Sequence, residues 1–394
     1  YFSTYTYYTA NKCVILTRIG TKFSMANFFT KLFNKQSASV LGVDIGSSSI
    51  KIVQISKKNG HAVLETYGEL ALGPYSGKGV GESTNLSTEK IIEAVNDILK
   101  EKEVNITTRD CGVAIQFSSS LMTVIDMPVV DKKQLEQMVP IEARKYIPVP
   151  ISEVTLDLYI IPKEKNTDLS SAESGSETMQ KMEVLIVALH NDTINRYKDI
   201  VTKTALSASF FEIEIFSTIR SVLDEEVSPI MIIDMGASTT KLYIVEKGVL
   251  RLSHMIDRGS HNITDELSKS VGISMEDAEY LKREKGLLGD ISGIALKDVA
   301  SFTLNYIFSE ASHVVMAYQK KYNKNVSKVL LVGGGSALKG VVDVAKNIFQ
   351  TEVVAGDPFS KVVAPAFLEK VLKETGPEFA VAVGIALRKL QELD

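Results

Sequence analysis

With 394 residues, 45% of them hydrophobic, the chain can bury a substantial core and is expected to form two domains or a pair of lobes. A net charge of −4 gives no general basis for nucleic-acid binding or for a strongly basic membrane surface, and only two cysteines, Cys13 and Cys111, argue against a disulfide framework and fit a reducing cytoplasm. No run approaches the roughly 20 apolar residues that a membrane-spanning helix needs.

Residues 1–24 lack the charge, apolar core and cleavage site of a signal peptide, and Met25 is the expected natural start. The stretch 1–24 therefore reads as a non-native or disordered extension in which residues 13–16 are able to add a short edge strand. Residues 25–36 form an amphipathic segment with Phe28, Phe29, Leu32 and Phe33 on one helical face, docked on its own domain or on a membrane or partner.

The first strong element is 41–55, LGVDIGSSSIKIVQI: an apolar strand ending at Asp44, a small-residue turn and an alternating second strand. Further strands follow to residue 81. Ser87 caps a helix carrying Ile91, Ile92, Val95, Ile98 and Leu99, and 111–116 is a buried strand. Such an α/β unit can carry one half of a nucleotide cleft. Next come a strand at 121–127 and a helix started by Asp131 and Gln134, expected to kink at Pro140 and to end at YIPVP, 146–150. Strands at 154–161 and 182–189 flank a polar segment, 163–181, read as a solvated hairpin loop. A helix at 191–205 follows, and 209–215 leads into a helix near 219–223.

Residues 230–245, IMIIDMGASTTKLYIV, are a weak copy of the first hairpin. Aligning Asp44 with Asp234 pairs Gly46 with Gly236, Ser48 with Ser238 and Lys51 with Lys241. Beyond it, 259–286 is mainly helical, with Ser274 capping 275–285. A long helix at 297–322 is expected to bury Val299, Phe302, Leu304, Ile307, Val314, Val315 and Tyr318. A strand at 329–332 runs into Gly333, Gly334 and Gly335, then a helix at 338–349, and a last helix occupies 379–390.

A phosphate-binding turn needs backbone N–H groups that no bulky Cβ shields. Gly46, Ser47, Ser48 and Ser49 satisfy this, and Lys51 adds a cation within reach. Asp44 and Asp234 are placed to hold a hydrated Mg2+ from opposite sides, since magnesium keeps much of its water. Gly333, Gly334, Gly335 and Ser336 lie between a strand and a helix, where a nucleotide can rest against backbone. One such turn alone is compatible with a plain structural connection; three in this order are much less so. The five histidines show no metal spacing, and His254 and His261 read as structural or exposed.

In these turns, and in their order, the region from about residue 40 to 390 resembles the superfamily of actin, sugar kinases and DnaK chaperones. Residues 44–51 match its first phosphate motif, 234–240 its second and 333–336 its adenosine motif. The 121–208 block with YIPVPISEV is similar to the extra subdomain of the PilM family of type IV pilus assembly proteins and of its cell-division relative FtsA. MANFFTKLFNK leading into the first hairpin, and AGDPFSKV at 355–362, point to the PilM family.

The resemblance implies an α/β, two-lobed actin-like ATPase fold of duplicated ribonuclease-H-like domains with an inserted FtsA-like strand-helix-strand-strand subdomain. Its parts are a first lobe core (37–120), the partner-binding insert (121–208), a second lobe core (209–256 and 326–366) around a helical subdomain (257–325), and a return helix (367–394). It implies ATP and Mg2+ as cofactors, with Gly236, Ala237, Ser238 and Thr239 on the phosphates. Glu279, Lys282 and Arg283 clasp adenine and ribose, the alternative being a solvated charged face. Residues 211–223 and 379–390 are the crossing hinge helices. Ala237, Ser238 and Thr239 replace acidic or glycine-rich positions of hydrolysing relatives, which implies at most slow turnover; Glu212 and Glu214 are candidate water-orienting groups by position only. The implied partner is the cytoplasmic N-terminal peptide of a PilN-like bitopic inner-membrane protein, held between the first subdomain and the insert. Pilus motor ATPases are further partners, and the protein is cytoplasmic and peripheral to the inner membrane. The alternatives are a small-molecule kinase, for which no acidic base stands out, and an FtsA-like filament protein, expected to continue past residue 390 into an amphipathic helix. A DnaK-type chaperone is expected to carry a peptide-binding domain there.

Overall fold

The computed structural model describes residues 5–9, 12–16, 38–162, 181–224, 227–291 and 293–393. The amphipathic segment at 25–36 lies outside the described residues, as does nearly all of the 163–181 loop.

Strands β1 (Tyr5–Thr9) and β2 (Lys12–Leu16) pair antiparallel. The duplicated hairpin follows as β3 (Ser39–Ile45) and β4 (Ser49–Lys58), with β5 (His61–Ala71) returning beside β4. β2 joins the sheet beside β5 with Val14 opposite Leu70, so residues 13–16 do add a strand, but β1 rather than β2 is the edge. Helix α1 (Thr88–Lys100) starts where Ser87 accepts the Lys90 N–H, and it buries Ile91, Val95, Ile98 and Leu99 against the sheet. β6 (Asp110–Ile115) runs parallel to β3.

The inserted block is β7 (Ser120–Pro128), α2 (Lys132–Ala143), β8 (Val154–Ile161) and β9 (Lys181–His190), with strand order β7-β9-β8. Asp131 accepts the Gln134 N–H at 2.9 Å and starts α2. The helix runs through Pro140 for three more residues before the proline-rich segment ends it. Its core is Leu135, Val139 and Ala143 packed under Val184 and Ile186.

α3 (Asn191–Lys203) and β10 (Ser207–Ile213) lead the chain back, and β10 extends the first sheet parallel to β6. The first hinge helix, α4 (Glu214–Val222), begins after the strand, so residues 211–213 are sheet rather than helix. The second lobe contains β11 (Ile230–Met235), β12 (Thr240–Glu246), β13 (Val249–Ile256), α5 (Ser260–Val271) and α6 (Met275–Lys285). The two-residue strands β14 (Asp290–Ile291) and β15 (Ile294–Ala295) precede α7 (Leu296–Tyr322). β16 (Lys328–Val332), α8 (Val341–Ile348) and β17 (Glu352–Ala355) complete it, and α9 (Glu369–Thr375) and α10 (Ala380–Gln391) return to pack on the first sheet.

The order β5-β4-β3-β6-β10 in one sheet is matched by β13-β12-β11-β16-β17 in the other. Each has three antiparallel strands followed by two parallel ones, so the repeat seen in the hairpins extends to the whole lobe. From Ala380 to Leu387 α10 is apolar on every face because it is surrounded, as an all-round apolar helix must be, and its last turn carries Arg388 and Lys389. A Cβ on Gly42 would lie 2.0 Å from the Ala382 carbonyl oxygen, and one on Gly384 would lie 1.9 Å from that of Ser217. These glycines let α10 press onto β3 and onto α4. Two expectations need correction. Phe302 on α7 is 64% exposed, because Ala300, Thr303, Leu304 and Ile307 take the inner face. Residues 338–340 also remain outside α8, which starts after the positive φ of Gly340.

Candidate functional site

The two hairpin turns close in the same way. Gly46 N–H donates to Ser49 O at 2.9 Å and Gly236 N–H to Thr239 O at 3.0 Å. In register Asp44 faces Lys51 and Asp234 faces Lys241. The turns meet across the lobes, where Ser238 Oγ donates to Ser47 Oγ at 3.1 Å. The third turn crosses over the second hairpin. Gly333 has φ +80°, and a Cβ there would stand 2.4 Å from Asp234 Oδ1, so a glycine is required.

Together they enclose a cavity of about 430 Å3 between the lobes, within the range of roughly 300–1,000 Å3 for small-molecule sites. Asp44, Gly46, Ser47, Ser48, Ser49 and Lys51 line it from the first lobe. Asp234, Gly236, Ala237, Ser238, Thr239 and Gly333, Gly334, Gly335 line it from the second, with Glu279, Lys282 and Arg283. Ser336 is not among the lining residues; its hydroxyl donates to Gly333 O at 2.7 Å and closes the turn instead. Of the two glutamates, Glu214 lines the cavity, whereas Glu212 is taken by Ser217, Arg220 and Arg388.

Glu279 and Lys282 on α6 are buried, which rules out a solvated face for them. Glu279 receives Lys282 at 2.6 Å, Arg283 at 2.7 Å and the Thr264 hydroxyl at 2.7 Å. Burial works to raise its pKa, but Lys282 and Arg283 pull it down to about 2. At the opposite end, burial and then the nearby Glu214 charge push Asp44 up to about 7. Glu378 is likewise raised to about 7 by burial and by Glu69. Lys241 donates to Glu214 at 2.9 Å and stands 3.3 Å from Asp234 Oδ2, while Lys51 pairs with Glu69 at 3.0 Å. Glu69, Lys241 and Glu378 were not among the sequence candidates. The repeat pointed to Lys241 as the counterpart of Lys51; nothing local in the sequence marks Glu69 or Glu378.

The glycine cradle and flanking cations fit a nucleotide. Among the described residues no group of three or more His, Cys, Asp or Glu side chains is arranged to hold a metal ion. Asp44 and Asp234 therefore suit a hydrated ion carried by phosphates better than a protein-built metal centre. Cys111 is buried and its thiol is pushed up to about 12 by that burial, an inert packing group.

A family model described as type IV pilus assembly protein PilM matches residues 42–390. The chain belongs to the PilM family. Within the solved PilM-PilN type IV pilus biogenesis complex, a chain 21% identical superposes with a TM-score of 0.73, covering 89% of this chain and 98% of that one. The ethanolamine utilization protein EutJ from Carboxydothermus hydrogenoformans reaches 0.50 at 14% identity, covering 89% of each chain. Cell division protein FtsA of Neisseria meningitidis serogroup B is 25% identical over 355 residues, 82% of this chain and 85% of its own length. The Escherichia coli K12 FtsA is 19% identical over 383 residues, covering 88% of this chain and 89% of its own length. The two-lobed actin-like fold expected from the turns is thus borne out, and PilM-family membership with it. No described helix is long and apolar enough to cross a membrane.

Proposed function

We propose that this PilM-family protein is a nucleotide-responsive assembly module of the type IV pilus machinery. It binds ATP with Mg2+ between its lobes and docks the cytoplasmic N-terminal peptide of a PilN-like bitopic membrane protein. The observation that carries this reading is the convergence of both hairpin turns, the glycine turn and the buried α6 charges on one interlobe cavity. ATP bridges the two turns that already touch through Ser47 and Ser238. Gly333, Gly334 and Gly335 receive the nucleoside, with Glu279, Lys282 and Arg283 at the base and ribose.

The insert rests on both lobes, which supports its role as the responding surface. Glu183 on β9 accepts Arg251 of β13 at 3.0 Å and the Tyr322 hydroxyl of α7 at 3.1 Å, both in the second lobe, and Arg196 on α3 donates to the Leu86 carbonyl of the first lobe at 2.6 Å. A PilN-like partner supplies the membrane attachment, placing the protein in the cytoplasm at the inner membrane, with pilus motor ATPases as further partners. Hydrolysis is slow or absent: Ala237, Ser238 and Thr239 bring no acid to the second turn.

Calorimetric titration of the full chain with the PilN-like N-terminal peptide, with and without Mg-ATP, tests the proposal. Binding of both ligands, with a peptide affinity that shifts with nucleotide, is the expected result; binding of neither refutes it. In the same assay Asp44→Ala is expected to lose Mg-dependent nucleotide affinity, and an unchanged affinity would show that the site is elsewhere.

A further inference from the structure

Between β5 and α1 the chain forms a glycine-rich strap, 73–83, GPYSGKGVGES. Both of its roots hang on the first hairpin turn. Leu72 N–H donates to Ser48 O at 2.8 Å, and the N–H and hydroxyl of Thr84 donate to Ser47 O at 2.8 and 3.0 Å. Just beyond, Leu86 is buried and its carbonyl accepts Arg196 of α3 at 2.6 Å. Between these roots the strap is braced on itself. Lys78 N–H donates to Gly73 O at 3.0 Å, Gly79 N–H to Glu82 Oε1 at 2.7 Å and the Lys78 ammonium to Ser83 O at 2.8 Å. The Tyr75 hydroxyl ties its base to Asp97 of α1 at 2.6 Å. It is a compact flap on fixed roots, not a slack loop.

The far end of the flap reaches the other lobe. Gly81, at φ +81°, lines the cavity, and a Cβ there would lie 2.5 Å from both Cδ and Oε1 of Glu279 on α6. Glu279 is in no position to back away, because Lys282, Arg283 and the Thr264 hydroxyl hold its carboxylate. A bare backbone is what fits there. The cavity is thus bridged between the lobes at two places, by Ser47 with Ser238 where the hairpin turns meet and by Gly81 with Glu279 beside the α6 charges. Lys282, Arg283 and Thr264 belong to the second lobe, so lifting Gly81 from Glu279 leaves their bonds to it intact.

We propose that the 73–83 strap is a lid on the interlobe cavity. Latched on Glu279 through Gly81, it closes the cavity; lifted from α6 on its roots at Leu72 and Thr84, it lets nucleotide enter and leave. This rests on the nucleotide reading above and adds to it the step that limits exchange. Gly81 is the latch because it brings backbone, with no side chain, against a carboxylate that is already fixed.

Rapid-mixing fluorescence on the full chain, with a fluorescent ATP analogue in Mg2+, tests the lid. In wild-type protein the observed binding rate is expected to level off as the analogue concentration rises, because opening of the lid then sets the pace. Gly81→Val places a side chain between the strap and Glu279 and props the lid open. It is expected to raise the plateau and the dissociation rate together, each by about tenfold or more, while affinity changes by less than about threefold. A wild-type rate that climbs linearly to the highest concentrations overturns the lid and leaves the nucleotide site standing. So does a Val variant with unchanged rates, or one whose faster dissociation is matched by an equal loss of affinity, which marks Gly81 as an ordinary contact. Absence of binding by wild-type protein overturns the nucleotide reading, and the lid falls with it. The wild-type plateau needs no substitution, so a poorly folding variant does not protect the proposal.

Discussion

Glu378 enters the cavity immediately before the second hinge helix, and Pro377 beside it accepts the Gly333 N–H at 2.9 Å. Burial and Glu69 hold its proton to about pH 7, against an ordinary value of 4.5. Between those two values the folded state keeps a proton that the unfolded chain has lost. The stability carried by neutral Glu378 is therefore fully present below about 4.5 and declines as pH rises through about 7. Glu378→Gln holds the neutral form at every pH. It is expected to melt with wild type near pH 5 and above it near pH 8; parallel melting curves at both would remove Glu378 from the pH response. Glu279 works in the other direction. Its depressed value, about 2, leaves a contribution present above 4.5 that is lost as pH falls towards 2.

The hinge helices decide how closely the lobes sit. Gly384 of α10 lies against the Ser217 carbonyl of α4, where an added Cβ would be 1.9 Å from the oxygen. Neither backbone can yield locally, so Gly384→Ala has to part the two helices. A loss of about 1–3 kcal/mol is expected, read as a lower urea midpoint. An unchanged midpoint would mean that the helices slide without cost. α7 shows where periodicity ran out. Its length was legible, but its inner face is set by α5 and the sheet, and Phe302 turns outward beneath Arg258, whose guanidinium sits 5.1 Å from the ring.

Across the whole molecule, the insert and the second lobe share a buried charge ladder. Arg251 pairs with Glu183 on one side and with Glu246 at 3.1 Å on the other, and Glu246 also receives Lys324. This is a direct physical link between the inserted block and the sheet that carries the second hairpin turn, because Arg251 and Glu246 lie on β13 and β12. Glu183→Ala is expected to raise hydrogen exchange in β7 and β9 while leaving β11 and β16 protected. It should also shrink the difference in peptide affinity between nucleotide-free and Mg-ATP states; such couplings are typically about 5–150-fold. An undiminished difference in the variant would show that the signal passes elsewhere.

Much of this protein was legible in its residues because the signals are local. Strand alternation, the Ser87, Asp131 and Ser274 caps, and the glycine-serine turns each act within a few positions, and the hairpin repeat alone marks both halves of the cleft. What only the tertiary structure decided were pairings between distant residues. Ser47 meets Ser238 across 191 positions, and Lys241 takes Glu214 across 27. Ser336 turns back to close its own loop, while Glu69 and Glu378 reach the cavity without any motif to announce them. A charged side chain's partner depends on which strand and helix the folded sheet brings within hydrogen-bond reach. That is set by the packing of two lobes, and no spacing along one chain encodes it.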